Sequence, residues 1–324
     1  MPTIAVDALG GLRAPDATVE AAAEISRKTT IDVVLVGDPQ SIERRLSAVS
    51  YNPERLRVHP SPAHPSQSVQ VAADLVVAGV ADALVTAGDP PVALRACYER
   101  FERLPGVHRA PLAAVYPTAP RPGNRDPFAL ILDVGATLRA DASDLVSWAK
   151  MGAAYARAIS RVEAPTIGLL STGRDARSGP PEVVEAHRIL VADSELRFVG
   201  NIEGLDIPRG GADVIVCDGY VGQVVIGLLG GVSDALLQAA RGAWSKKISW
   251  RMGLRLLEDA VVGFHETIQH EAYGGAPLLG FDKVAILALP TSEARSLSNA
   301  IKLAAKAVRE DVPGVVARAL AEPS

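Results

Sequence analysis

The chain has 324 residues, of which 48 % are hydrophobic, with a formal net charge of -4 and a sequence pI near 5.9. This length and apolar fraction are enough for a full hydrophobic core, either as one large domain or as two modest ones. The acidic balance gives no reason to expect a nucleic-acid partner. The cysteines Cys97 and Cys217 lack metal-ligand spacing, so the sequence predicts a reduced, cytoplasmic protein without a metal site or cofactor.

The amino-terminal segment enters an apolar run directly, with no basic region before it, which argues against a signal peptide. The most apolar window of the sequence, residues 221–240, is interrupted by four glycines and Asp234. We therefore expect a buried helix there rather than a membrane span.

Strand-like and helical runs alternate along the chain, which is typical of a parallel sheet with helices on both faces. The predicted strands are 3–6, 32–36, 56–58, 81–87, 128–132, 166–170, 196–199, 214–217 and 284–289. Helices are predicted from near Pro15, over 41–49 and 67–78, after Pro91, and over 141–159, 181–191, 224–264 and 292–309. We expect a single α/β domain over residues 1–324, with a helical tip at about 240–272.

The stretch from Asp213 to Gly231 joins a β-branched, buried strand to a helix through Asp218 and Gly219, with Gly222 at the start of the helix. In an open α/β sheet this junction lies at the carboxyl edge, where helix amino termini point free N–H groups at ligands. An anion is the first ligand to consider, although an ordinary strand-to-helix turn explains the pattern equally well.

Three aspartates, Asp7, Asp133 and Asp218, are each the first polar residue after an apolar strand, and glycine follows each within a few residues. Together they predict a polar cleft at one sheet edge, with carboxylates available for catalysis. Helix capping and turn hydrogen bonding are the alternative, and this role is the more common one for a single aspartate in such a position.

Several motifs in this order resemble those of the PlsX-type phosphate acyltransferases, over nearly the whole chain. They are IAVDALGG from Ile4, Ala87-Gly88, LDVGA from Leu132, VCDG from Val216 with Gly222, and YGGAPLLG from Tyr273. The resemblance implies a homodimeric three-layer α/β/α sandwich with a mostly parallel sheet, similar to phosphotransacetylases and isocitrate dehydrogenase relatives. It also implies acyl transfer from acyl carrier protein to inorganic phosphate, which gives an acyl phosphate for phospholipid synthesis.

This reaction needs hydrogen-bond donors that hold phosphate and stabilise a developing oxyanion. Glycine turns with exposed N–H groups and cationic side chains are suited to this role. The catalytic candidates are Asp218, Asp133 and Asp7. The candidates for binding phosphate or the acyl carrier protein are Gly10, Gly11, Arg13, Gly88, Gly135, Thr137, Arg174, Gly219, Gly222, Gln223, Tyr273, Gly274 and Gly275.

The chain departs from the family pattern at polar positions. This chain has Leu12-Arg13 where the family usually has Asp-His, and Asp89-Pro90-Pro91 where the family has Asn-Thr-Gly. Gln223 stands at a position that is usually Asn, and Gly227 at one that is usually Lys. Residues 289–292 replace a turn similar to Gly-His-Gly-x-Ser. Two alternatives therefore stay open. One is a non-catalytic relative that binds acyl carrier protein or a membrane, and the other is an acyltransferase with a different acceptor.

The segment 244–264 carries two apolar stripes at helical spacing, with lysines and arginines between them. Such a face suits peripheral contact with an anionic bilayer, a partner subunit or an acidic carrier protein. The resemblance favours membrane or acyl-chain contact over plain dimer packing.

Overall fold

The computed structural model describes residues 1–119, 127–246 and 274–321. Its strands are β1 (Thr3–Asp7), β2 (Asp32–Gly37), β3 (Leu56–Pro60), β4 (Ala83–Thr86), β5 (Ala113–Pro117), β6 (Phe128–Leu132), β7 (Thr166–Leu170), β8 (Arg197–Ile202), β9 (Val214–Val216), β10 (Ala276–Leu278) and β11 (Val284–Leu287). The α-helices are α1 (Asp16–Lys28), α2 (Pro39–Leu46), α3 (Pro65–Val77), α4 (Pro90–Arg100), α5 (Ala142–Tyr155), α6 (Pro181–Ala192), α7 (Gly219–Lys246), α8 (Ala294–Arg309) and α9 (Val312–Ala321).

The strands form two mostly parallel sheets. The first sheet has the order β10-β11-β4-β1-β2-β3 and the second has the order β5-β6-β9-β7-β8. In each sheet the strand at one edge, β10 or β5, runs antiparallel to its neighbour. These two edge strands lie side by side, because Leu112 and Leu278 form an antiparallel bridge and Leu279 N donates to Pro111 O at 3.0 Å.

Helices cover both faces of the sheets, as the alternation of buried side chains in β1 illustrates. Ile4 and Val6 belong to the core beneath α1, α5 and α8, whereas Ala5 belongs to the core beneath α3 and α4. A strand that is apolar on both faces is typical of a parallel sheet between two helical layers. The predicted α/β/α sandwich is therefore confirmed.

The predicted strands and helices are found with small differences in their ends. Gly79 follows the cap residue of α3 and has φ +71°, the left-handed conformation in which glycine commonly ends a helix. The sequence analysis missed β5, β10 and α9. Most of the predicted tip at 240–272 lies outside the described residues, as does most of the 244–264 segment.

Helix α7 differs from the prediction of a buried helix. By length and composition alone, the segment Gly219–Leu236 could cross a membrane, although many core helices of soluble proteins meet the same test. Only 17 % of this segment is buried in the structure. The prediction of burial was wrong because Gly222 and Ser233 lie on the buried face, whereas many of the larger apolar side chains point outward. The exposed side chains are Tyr220, Val221, Val224, Leu228, Val232 and Leu236.

Candidate functional site

A cleft of about 390 Å³ lies between the two sheets, at the carboxyl ends of β4, β6 and β11. The first turns of α4, α7 and α8 border it. Its apolar wall consists of Pro90, Pro91, Leu112, Ala114, Val115, Val134, Ile226, Ala276, Leu287, Ala288 and Leu289. Among the described residues that line it, none carries a charge, and the polar side chains are those of Gln223, Ser292 and Ser296.

Asp7 is fully buried at the end of β1 and holds three elements together. Its Oδ1 accepts hydrogen bonds from Leu9 N (3.2 Å), Gly10 N (3.1 Å) and the Ser68 hydroxyl (2.5 Å). Its Oδ2 accepts one from the Thr86 hydroxyl at 2.7 Å. Burial raises the pKa of this carboxyl above its ordinary value of 3.8, although these donors oppose the shift.

Asp133 occupies the equivalent position after β6 and is also fully buried. Its Oδ1 accepts hydrogen bonds from Leu112 N (2.9 Å), Gly135 N (3.1 Å) and Ala136 N (3.0 Å), and its Oδ2 accepts one from Thr137 N (2.7 Å). Burial raises the pKa of this carboxyl as well. Both carboxylates therefore organise turns, and their predicted catalytic role stays a prediction.

Asp218 differs because it is only half-buried. Its Oδ1 accepts a hydrogen bond from Val221 N at 2.9 Å, and its carbonyl accepts one from Gly222 N at 2.9 Å. The residue thus caps α7 and leaves its other carboxylate oxygen without a hydrogen bond to any described residue. Of the three predicted aspartates, Asp218 has the most accessible carboxylate.

The turns after β6 and β9 are packed directly together. Gly219 N donates to Thr137 Oγ1 at 3.3 Å, and Gly222 lies so close to the Asp133 carbonyl that a methyl group there would overlap it. Gly135 has φ +120° and faces the Gln223 side chain, whose Oε1 would be 2.9 Å from a Cβ atom. The fold thus brings the predicted residues of this half together.

The remaining predicted glycines lie on the opposite side of the cleft or behind it. Gly10 and Gly88 are adjacent, since a Cβ on Gly10 would be 2.7 Å from Gly88 N, and Gly11 packs against Ala87 and Pro290. Gly275 lines the cleft, whereas Gly274 packs against α8. Tyr273 lies outside the described residues.

The predicted arginines are paired with carboxylates outside the cleft lining. Arg13 lies 3.0 Å from Glu293, which directly precedes α8, and Arg174 lies 2.6 Å from Asp206. Arg174 belongs to the loop after β7, at the same sheet edge as the turns after β6 and β9, but it is not among the described residues that line the cleft.

The two cysteines are poor nucleophiles. Burial raises the pKa of the Cys97 thiol to about 12, and burial raises that of Cys217 well above its ordinary range. Because the thiolate is the nucleophilic form of cysteine, neither side chain is suited to carry an acyl group.

Sequence reasoning missed the hydroxyls of Ser292 and Ser296. Both side chains are almost fully buried, line the cleft, and lie with their Oγ atoms 3.3 Å apart. Their i,i+4 spacing at the start of a helix was the one signal in the sequence. It was weak because serine in the first turn is ordinarily a capping residue.

Comparison with known proteins agrees with this architecture. A family model described as a fatty acid synthesis protein matches residues 2–315. The phosphate acyltransferase of Thermosynechococcus vestitus is 37 % identical in sequence, and the match covers 94 % of this chain and 91 % of that protein. The phosphate acyltransferase of a Cyanothece species is 36 % identical, and the match covers 95 % of this chain and 92 % of that protein. The crystal structure of a Streptococcus pyogenes phosphotransacetylase shares the fold, with a TM-score of 0.66 at 15 % identity over 95 % of this chain and 94 % of that one. The chain therefore belongs to the PlsX-type phosphate acyltransferase family and is an acyltransferase.

Proposed function

We propose that this protein transfers an acyl group from an acyl carrier protein thioester to inorganic phosphate and releases an acyl phosphate. The observation that carries the proposal is the apolar cleft of about 390 Å³ at the carboxyl edge of both sheets. An apolar wall suits a fatty acyl chain, since burying apolar surface is the main source of affinity for such a group.

In the proposed reaction, a phosphate oxygen attacks the thioester carbonyl carbon. The new C–O bond forms, the C–S bond breaks, and the departing carrier thiolate takes up a proton. The buried, high-pKa cysteines argue against an acyl-cysteine intermediate, and we propose direct attack by phosphate. Catalysis then depends on holding the two reactants together and on stabilising the oxyanion.

We assign the predicted site residues to two roles. Asp7 and Asp133, with the glycines beside them, fix the turns that form the cleft walls. Asp218 and Gln223, which lie on the exposed side of the α7 start, contact the reactants. Of these two residues, Gln223 lines the cleft, whereas Asp218 is not among the described residues that line it.

We also propose that the protein is a cytoplasmic homodimer with peripheral membrane contact through residues 244–264. The exposed apolar row on α7 supports the dimer, because a second subunit would remove Val224, Leu228, Val232 and Leu236 from water. Membrane contact would deliver the product to the lipid phase.

The test is a mass-spectrometric assay of the purified protein with a panel of acyl carrier protein thioesters, with and without phosphate. We expect acyl phosphate and free carrier thiol only when phosphate is present. Carrier release without phosphate would indicate a different acceptor or hydrolysis. Tight carrier binding without any release would identify a non-catalytic binding protein.

A further inference from the structure

We propose that inorganic phosphate binds at the amino terminus of α8, where the hydroxyls of Ser292 and Ser296 and the N–H groups of the first helical turn hold it. This inference rests on the proposed transfer to phosphate and locates the acceptor within the same cleft. Three helices, α4, α7 and α8, begin at the cleft, and their termini differ in what they offer an anion.

The amino terminus of α4 is unsuited to an anion. Its first two residues are Pro90 and Pro91, which have no N–H groups to donate. The residue before them is Asp89, whose carboxylate would repel phosphate. This terminus therefore contributes apolar surface to the cleft rather than an anion site.

The amino terminus of α7 already holds a negative charge. The Asp218 carboxylate accepts the hydrogen bond of Val221 N at 2.9 Å and so occupies the position of an external anion. A phosphate there would meet a carboxylate instead of free donors.

The turns between strands and helices have also used their donors. Gly10 N donates to Asp7 at 3.1 Å, and Gly88 N donates to the Thr86 hydroxyl at 2.9 Å. Gly135 N donates to Asp133 at 3.1 Å, and Gly219 N donates to the Thr137 hydroxyl at 3.3 Å. These bonds shape the cleft, and the four N–H groups that make them have no hydrogen left for a ligand.

The amino terminus of α8 is different. Its cap residue, Glu293, makes no side-chain bond to the helix, and its carboxylate is paired with Arg13 at 3.0 Å. No described residue accepts a hydrogen bond from the N–H groups of residues 294–296. The helix has 16 residues, so its dipole favours an anion at this end.

The two serines point to a ligand independently of the helix. Ser296 donates its hydroxyl hydrogen to Ser292 Oγ at 3.3 Å, and no described residue accepts the hydroxyl hydrogen of Ser292. The exposed fraction of each serine is 3 %, although both line the cleft. A nearly buried hydroxyl in an apolar wall needs an acceptor, and a phosphate oxygen provides one.

The test measures the dissociation constant of inorganic phosphate by isothermal titration calorimetry and its KM in the acyl-transfer assay. The variants are Ser292→Ala, Ser296→Ala and, as the matched control, Ser298→Ala. Ser298 is a buried serine of the same helix that bonds Glu24 at 3.1 Å and is not among the cleft-lining residues.

We expect Ser292→Ala and Ser296→Ala to weaken phosphate binding and to raise its KM by about tenfold or more, because each removes a charge-assisted hydrogen bond. The KM for the acyl donor should stay unchanged, and Ser298→Ala should remain within about twofold of the wild type. Removing the negative charge with Glu293→Gln should tighten phosphate binding.

Unchanged phosphate affinity in both serine variants, with wild-type melting curves, would overturn the inference. An equal loss of phosphate affinity in Ser298→Ala would also overturn the inference, because the effect would then reflect a general loss of stability. Calorimetry keeps this test separate from the proposed function: a wild type that binds phosphate but makes no acyl phosphate would refute that function while the serine variants still decide the site.

Discussion

Asp7 and Asp133 occupy the same position in the two sheets, yet their hydrogen-bond donors differ. Asp7 Oδ2 faces the Thr86 hydroxyl, which can rotate to donate or accept. Asp133 Oδ2 faces the Thr137 backbone N–H at 2.7 Å, which can only donate. The turn after β1 can therefore adapt to a neutral or polar replacement, whereas the turn after β6 requires an acceptor at both oxygens.

The strongest disruption of the turn after β6 should come from Gly222→Ala. The added methyl group would overlap the Asp133 carbonyl and push α7 away from the turn, at a cost of about 3 kcal/mol or more in free energy of unfolding. Chemical denaturation measures the loss. The matched control is Gly227→Ala on the same helix, where a Cβ meets no atom within 4 Å and alanine should stabilise slightly. Equal free energies of unfolding for the two variants would contradict the close packing of Gly222 against the Asp133 carbonyl.

Asparagine substitutions test the comparison directly. In Asp133→Asn the side-chain NH₂ group must face the Thr137 N–H or displace the donors at Oδ1, so we expect a loss of about 2–3 kcal/mol. In Asp7→Asn the Thr86 hydroxyl can accept instead, and the loss should be about 1 kcal/mol or less. Urea denaturation of both variants gives the two values. A larger loss for Asp7→Asn would reverse our interpretation of the two turns.

Asp218→Ala should separate function from stability. The loss of the cap to Val221 N costs about 1 kcal/mol. Under the proposed function, in which this carboxylate contacts the reactants, turnover should fall by about tenfold or more. Steady-state kinetics and thermal melting measure the two effects on the same preparation. If turnover falls only as far as stability does, Asp218 has no catalytic role.

The last prediction concerns the dependence of stability on pH. The pKa values of Asp7 and Asp133 are raised in the folded state, while the unfolded chain loses these protons near 3.8. Their contribution to stability is therefore complete below that pH. It is lost as the pH rises from the unfolded to the folded pKa, at about 1.4 kcal/mol per pH unit for each carboxyl. Asp7→Asn should remove the part of this pH dependence that comes from Asp7. The free energy of unfolding of the wild type, relative to that of this variant, should therefore fall with rising pH. Parallel curves between acidic and neutral pH would contradict the raised pKa.

Much of the architecture was predictable from local patterns. Apolar runs that end in aspartate and glycine indicated the sheet edge with Asp7, Asp133 and Asp218, because that pattern depends only on neighbouring residues. Strands β5 and β10 were missed, since each is a short antiparallel edge strand that contains proline. The cleft itself depends on contacts between distant segments, which periodicity cannot reveal.

The sequence also could not separate donors that are free from donors that are used. Gly10, Gly88, Gly135 and Gly219 were predicted as anion ligands because glycine turns can expose N–H groups. Only the folded structure shows that neighbouring carboxylates and hydroxyls accept those hydrogens. Their assignment to phosphate or carrier binding stays a prediction.

The bridge between Leu112 and Leu278 has a consequence for how the molecule unfolds. Leu112 lies opposite Leu278 of β10, where the adjacent Pro111 carbonyl accepts a hydrogen bond from Leu279 N. The N–H of Leu112 donates to Asp133, and its carbonyl accepts from Val134. Loosening either sheet therefore exposes backbone groups of the other. We expect heat to melt both sheets in one cooperative transition, with the calorimetric enthalpy equal to the van't Hoff enthalpy.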